Sequence, residues 1–222
     1  MIAPSIILVT DPRYTLDRAC EVIEKASAAV DPGALMVQLR DKAASIAELT
    51  KAARRLRDVT KKARAPFVLN AARPDARDVI ELALDSGADG VHVAGKREAV
   101  AAVCAVADNA WISAPAHSSD DVSALAGNVE ALLVSPIFAT PDKATPRGPK
   151  ALVEAKRLGP PEGGARIYAL GGVGPDKVEA CAVAGADGVA VIRSLFDAAD
   201  PAAVARVLDA PFRRGAARAR RS

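Results

Sequence analysis

Two runs in this chain carry the residue types that hold phosphate. One is Gln38-Leu39-Arg40-Asp41-Lys42; the other is Ser135-Pro136-Ile137-Phe138-Ala139-Thr140-Pro141-Asp142-Lys143. Arg40, Lys42 and Lys143 supply positive charge, while Gln38, Asn70, Ser113 and Thr140 supply amide and hydroxyl groups. Gly171-Gly172 and the Val191-Ile192-Arg193 segment add backbone of the kind that lets N–H groups approach an anion. Taken singly, each piece has a plainer reading: a glycine pair makes a tight turn, and one arginine or lysine is a solvated charge. Together they point to phosphate, provided the fold brings them to one place.

The elements that would do so follow from the hydrophobic pattern. Apolar, β-rich runs occur at residues 6–10, 35–40, 67–71, 90–93, 111–114, 132–136, 167–170 and 188–192. Amphipathic stretches separate them, as at residues 46–62, where Leu49, Ala52, Leu56 and Val59 fall at helical spacing. Strand and helix alternating eight times predict an α/β chain closed into a single-domain (β/α)8 TIM barrel, with a last helix over residues 201–210. In such a barrel, chemistry sits where the strands end, and the loops after strands seven and eight are the usual phosphate cradle. Every group named above lies at such an end. A phrase written twice, Gly87-Ala-Asp-Gly-Val91 and Gly185-Ala-Asp-Gly-Val189, marks a helix-to-strand joint each time, its first glycine suited to a left-handed helix exit.

Composition excludes several other classes. The 222 residues, 50% hydrophobic, can bury one sizeable core. A net charge of +3 is owed to Arg213, Arg214, Arg218, Arg220 and Arg221 at the very end, so the body is slightly acidic. With 3% aromatic residues it offers neither a basic face nor stacking platforms, and no nucleic-acid partner is expected. Residues 1–212 are expected to form the TIM-barrel domain and residues 213–222 an Arg-rich, flexible tail. Cys20, Cys104 and Cys181 are widely spaced and expected to be reduced and buried. No apolar run reaches the roughly 18 residues of a membrane span and no signal-peptide pattern opens the chain, which implies no membrane partner and a cytoplasmic location. A homo-oligomer remains open.

The ordered set of motifs is more specific than any single one. Leu8-Val9-Thr10-Asp11, Gln38 to Lys42, Asn70, Gly87 to His92, Ser113 with His117, Pro136 to Lys143, Gly171-Gly172 and Gly185 to Ile192 together resemble the thiamine-phosphate synthase and thiazole tautomerase superfamily, over residues 6–208. The resemblance implies a thiamine-biosynthesis transferase that couples hydroxymethylpyrimidine diphosphate to a thiazole phosphate, giving thiamine phosphate and pyrophosphate. It implies that Arg40, Lys42 and Lys143 stabilise the leaving pyrophosphate and that Gln38 and Asn70 add hydrogen bonds. Thr140 would hold pyrophosphate or a thiazole carboxylate, and Gly172 with Ile192-Arg193 would seat the thiazole phosphate. The attacking group, by the same resemblance, would be the thiazole nitrogen.

The resemblance also implies magnesium, held by an aspartate directly after the asparagine and a second one a few residues past the fourth strand. Here Ala71-Ala72 follow Asn70, and Arg97 stands near the second position. Asp78 could replace the first ligand across an insertion. Two further readings stay open: a tautomerase moving a proton with His117, and a binder of thiazole or thiamine phosphate that has lost turnover. His92 reads as structural. A phosphosugar isomerase would want a carboxylate base at a strand end, and none is evident.

Overall fold

The computed structural model describes residues 4–107, 110–140, 145–160 and 163–219. Eight parallel strands, β1 (Ile6–Val9), β2 (Leu35–Leu39), β3 (Phe67–Asn70), β4 (Gly90–His92), β5 (Trp111–Ala116), β6 (Ala131–Val134), β7 (Arg166–Leu170) and β8 (Gly188–Val191), close a barrel in chain order. Closure is made where Ile6 of β1 pairs with Val189 of β8. Helices α1 (Leu16–Ser27), α2 (Ile46–Ala63), α3 (Ala76–Asp85), α4 (Arg97–Cys104), α5 (Ser119–Leu125), α6 (Lys150–Leu158) and α7 (Val178–Val183) follow β1 to β7. After β8 come a single turn, α8 (Arg193–Phe196), and α9 (Pro201–Ala219), which runs past residue 212.

All eight predicted strands are present. Thr10, Arg40, Ala71, Val93, Pro136 and Ile192, expected to end strands, lie beyond them in the loops of the C-terminal rim. Alternation along the strands sorts the core into two parts. Ile7, Val9, Met36, Val68, Trp111, Ala131, Leu133, Tyr168 and Ala190 pack on one another inside the barrel. Ile6, Leu8, Val37, Leu69, Leu132 and Val189, one residue out of phase, pack against the helices. In α2 the buried stripe is Leu49, Ala53, Leu56 and Thr60, so Ala52 and Val59 lie at its margin rather than in its centre. A capping box at Ser45 and Glu48 starts this helix.

The repeated phrase has a structural use in both places. Asp89 accepts the Phe67 N–H at 2.8 Å and pairs with Arg57 at 3.0 Å. Asp187 accepts the Ile167 N–H and the Lys156 ammonium, each at 2.6 Å. Each carboxylate thus holds the N–H at the start of the preceding strand as the barrel turns into the next one. The glycine after it faces the barrel interior: a Cβ on Gly188 would lie 2.6 Å from the Tyr168 ring. The absence of a side chain there makes room for that ring, which is fully buried and donates its hydroxyl to the Pro4 carbonyl at 2.7 Å.

The cysteines are free, but only Cys20 and Cys181 are buried. Cys104 is exposed, because α4 turns only Val100 and Val103 inward. Among the described residues no helix is long and apolar enough to cross a membrane.

Candidate functional site

Above the apolar plug, the strand ends carry a ring of buried polar side chains: Gln38, Asn70, His92, Ser113 and Ser135. Their order is set by the ladder, in which Asn70 pairs with His92 and His92 with Ser113. Asn70 Nδ2 donates to Gln38 Oε1 at 3.3 Å, and Asn70 Oδ1 accepts the Ala72 N–H at 3.0 Å. Gln38 Nε2 is buried without a hydrogen-bond partner among the described residues. A buried amide N–H2 left unpaired costs about 1–3 kcal/mol, so it reads as a donor set aside for a ligand.

His92 Nδ1 lies 2.9 Å from Ser113 Oγ. Burial first, then the positive charges of Arg40 and Lys42 and the nearby His117, lower its pKa to about 3. The imidazole is therefore neutral at pH 7. His117, exposed just past β5, is a different case. Its backbone N–H donates to Asp121 at 2.7 Å, and its Nδ1 stands 3.2 Å from the Ser135 carbonyl. Ser135 Oγ lies at the same 3.2 Å from Nδ1, so the ring can donate to the carbonyl or accept from the hydroxyl according to its tautomer.

The two described cations differ in setting. Arg40 is half-buried, its backbone N–H donating to Thr10 Oγ1 at 2.8 Å while that hydroxyl donates to the Arg40 carbonyl at 3.3 Å. Lys42 is exposed on the next loop, which Asp41 turns into α2 by accepting the Ala43 and Ala44 N–H groups. Lys143 lies outside the described residues. Thr140, immediately before them, is half-buried, and its Oγ1 is buried without a partner among the described residues.

On the opposite side of the rim, the loops after β6, β7 and β8 are tied together. Ile137 and Phe138 donate their N–H groups to the Leu170 and Gly171 carbonyls at 3.0 and 2.9 Å, and Ser194 Oγ donates to the Val173 carbonyl. Gly172 has φ +64, and a Cβ there would lie 2.6 Å from the Ala139 carbonyl oxygen. Val191 ends β8 buried, Ile192 caps α8, and Arg193 opens it with its side chain exposed. The first N–H groups of any helix lack intrahelical acceptors, so this backbone is available to an anion. Arg18, donating to the Phe196 and Ala198 carbonyls at 2.8–3.1 Å, holds the far end of that turn. Tyr14 stacks on Phe196 with ring centroids 4.4 Å apart.

The residues at the implied magnesium positions do not fit a metal held by the protein. Ala71 is buried and apolar. Asp75, the first acid in the loop after Asn70, gives both oxygens to Arg73, at 2.6 and 2.7 Å. Asp78 is exposed in the first turn of α3, where it lines an outer groove with Arg54 and Asp58 of α2. Arg97 Nε donates to the Ala124 carbonyl of α5 at 3.1 Å, and so serves the helix layer. Among the described residues no three His, Cys, Asp or Glu side chains are grouped to hold a metal ion.

Sequence reasoning missed Arg73. An arginine two residues before an aspartate in a loop carries no periodic or motif signal, and its importance comes from contacts to a different loop. Gln38 and Asn70 are hydrogen-bonded to each other at the ends of β2 and β3, Arg40 directly follows β2, and α8 is tied through Ser194 to Val173, the residue after the glycine pair.

Known proteins resemble this chain in sequence and in fold. The sequence model of the thiamine monophosphate synthase family matches residues 6–195. The chain is similar to a thiamine-phosphate synthase of Chloroflexus aurantiacus, 33% identical over 92% of this chain and 91% of that one. It is also similar to one of Laribacter hongkongensis, 34% identical over 94% and 95% of the two chains. Among solved structures, a thiamine phosphate pyrophosphorylase from Pyrococcus furiosus superposes with a TM-score of 0.75 over 95% of this chain and 96% of that one, at 20% identity. An orotidine 5'-phosphate decarboxylase from Pyrococcus horikoshii reaches 0.69 at 16% identity, covering 93% and 99%. Likeness at that identity shows the barrel fold alone.

Proposed function

This chain belongs to the thiamine monophosphate synthase family, and from that premise we propose that it is a thiamine-biosynthesis transferase joining a hydroxymethylpyrimidine diphosphate to a thiazole phosphate. In the step proposed, the carbon–oxygen bond to the diphosphate breaks and its electron pair leaves with the diphosphate oxygen. The thiazole nitrogen lone pair forms the new carbon–nitrogen bond, giving thiamine phosphate and pyrophosphate. No protein nucleophile or proton transfer is required. The protein's task is to place the two substrates and to stabilise negative charge growing on the leaving group.

The unpaired Gln38 Nε2 carries this reading, because it is a buried donor at the same strand exit as Arg40. Arg40, Lys42 and Lys143 take the diphosphate charge, with Gln38 and Asn70 adding hydrogen bonds. Gly171 and Gly172, with the backbone after Val191 at Ile192 and Arg193, seat the thiazole phosphate. Thr140 Oγ1, also without a partner among the described residues, serves as a donor between the two ends. His92, neutral and bonded to Ser113, shapes the floor of the pyrimidine site without adding charge.

The test is pyrophosphate release by purified protein given both substrates, beside an Arg40→Ala variant. Release that needs both substrates and Arg40 supports the transferase. Ligand-induced thermal stabilisation without release identifies a binder. A second reading, a proton shift at an aminothiazole, is favoured by one observation: Ser135 holds the exposed His117 ring through Nδ1, which leaves Nε2 open to a substrate. Solvent proton exchange into the thiazole that depends on His117 would replace the transferase reading.

A further inference from the structure

Among the described residues, several acidic side chains around the C-terminal rim already have work. Asp11 accepts the backbone N–H and the guanidinium of Arg13, Asp41 and Asp121 cap the loops that open α2 and α5, and Asp197 accepts the Tyr14 hydroxyl. Asp75 is taken by Arg73 on both oxygens. Arg40 and Lys42, by contrast, form no ion pair among the described residues; Arg40 acts on Asp11 only through its longer-range field. Among the described residues, the diphosphate end of the rim therefore combines available positive charge at Arg40 and Lys42 with carboxylates committed at Asp11, Asp41 and Asp75.

Arg73 ties this end together. Its side chain is 7% exposed and spends its N–H groups on two loops at once. Nε and Nη2 hold Asp75 in its own loop after β3. Nη1 donates to the Asp41 carbonyl and Nη2 to the Ala44 carbonyl, both at 2.7 Å, so the backbone is gripped on either side of Lys42. A cation with fixed flanks loses less freedom on meeting a phosphate than one on a mobile loop, and a preorganised charge stabilises a developing anion without rearrangement.

We infer that this chain binds its diphosphate on fixed side-chain cations rather than through a metal held by the protein, with Arg73 as the positioning residue that clamps the Arg40–Lys42 segment. The inference rests on the proposed transferase reading and concerns how its diphosphate end works. Magnesium brought in by the substrate is compatible with it, whereas a magnesium site built from this chain's carboxylates is not.

The experiment is calorimetric titration of the full chain with inorganic pyrophosphate, once in EDTA and once with magnesium chloride, alongside magnesium chloride alone. The expected result is binding in EDTA at least as tight as with magnesium, and no heat or thermal stabilisation from magnesium alone. Affinity that rises tenfold or more with magnesium, or binding of magnesium by itself, overturns the inference and leaves the transferase reading standing. Absence of pyrophosphate binding in both buffers overturns the two together.

Arg73→Gln is expected to weaken pyrophosphate binding at least tenfold and to raise the KM for the pyrimidine diphosphate while leaving the KM for the thiazole phosphate within about twofold. Asp75→Asn loosens the same clamp while keeping the arginine charge and tests the idea if Arg73→Gln fails to fold; its expected loss is threefold or more. Equal rises in both KM values, or no change in either, would assign Arg73 to the fold alone.

Discussion

Asn70 donates its side-chain N–H to Gln38 Oε1 across 3.3 Å, and this one bond orients both amides at the C-terminal end of the barrel. With Oε1 so engaged, the Gln38 Nε2 group has no partner among the described residues, although the residue is 2% exposed. A barrel stable enough to carry that unsatisfied donor gives up stability where a ligand is to bind.

Gln38→Met should therefore separate stability from activity. Removing the unpaired Nε2 recovers part of a penalty of about 1–3 kcal/mol, but the same change takes away the acceptor of Asn70 Nδ2, so the two effects oppose each other and the melting temperature is expected to change little. The rate of pyrophosphate release is expected to fall about tenfold to a hundredfold, as for a lost hydrogen bond to a charged group. Calorimetry and a release assay on the same preparation check both; unchanged turnover would remove Gln38 from the site.

Gly172→Ala tests the phosphate end. At φ +64 with a Cβ 2.6 Å from the Ala139 carbonyl, the alanine must shift the loop after β6. A loss of about 1–3 kcal/mol in urea unfolding is expected from the backbone strain, together with a raised KM for the thiazole phosphate. Wild-type values on both counts would show that the loop yields freely.

Acid should weaken the fold through His92. Its pKa is lowered from 6.5 to about 3 in the folded chain, so between these values the unfolded chain binds the extra proton. Stability is level above about pH 6.5, falls as pH drops toward 3 by at most about 1.4 kcal/mol per unit, and is level again below that. His92→Gln, which can still reach Ser113, should flatten that part of a stability profile; an unchanged slope would mean other groups carry it.

His117→Asn distinguishes the readings of the site. A transferase that uses the thiazole nitrogen as nucleophile should lose less than about threefold in pyrophosphate release, since general acid–base catalysis, which contributes about 10²–10⁴-fold where it operates, is not called on. A loss in that larger range would give the ring a proton-transfer role.

Asp187→Ala should cost stability without touching chemistry. It removes the acceptor of the Ile167 N–H and of Lys156 at the N-terminal end of the barrel. A loss of about 1–3 kcal/mol in chemical unfolding, with KM values unchanged, is expected from an orphaned strand N–H. A changed KM would mean that this end of the barrel communicates with the rim.

Much of the molecule was legible in the chain itself. Residue alternation and helix spacing are local, so eight strands, their helices and the barrel followed from pattern alone, as did the placement of Gln38, Arg40, Asn70 and Gly172 at strand ends. The repeated Gly-Ala-Asp-Gly-Val phrase was recognisable as a helix-to-strand joint for the same reason.

Tertiary structure decided whatever depends on residues distant in sequence. That Asp89 and Asp187 hold the N–H groups of earlier strands, that Arg97 turns to α5 and Asp78 to the α2 groove, and that Arg73 consumes Asp75 while gripping the loop of Lys42 are matters of which groups the fold brings together. A charged side chain has the same appearance in a sequence whether it is spent or available. Only the folded chain, by bringing some carboxylates to guanidinium groups and leaving Arg40 and Lys42 without ion-pair partners among the described residues, separates structural charge from charge held for a ligand.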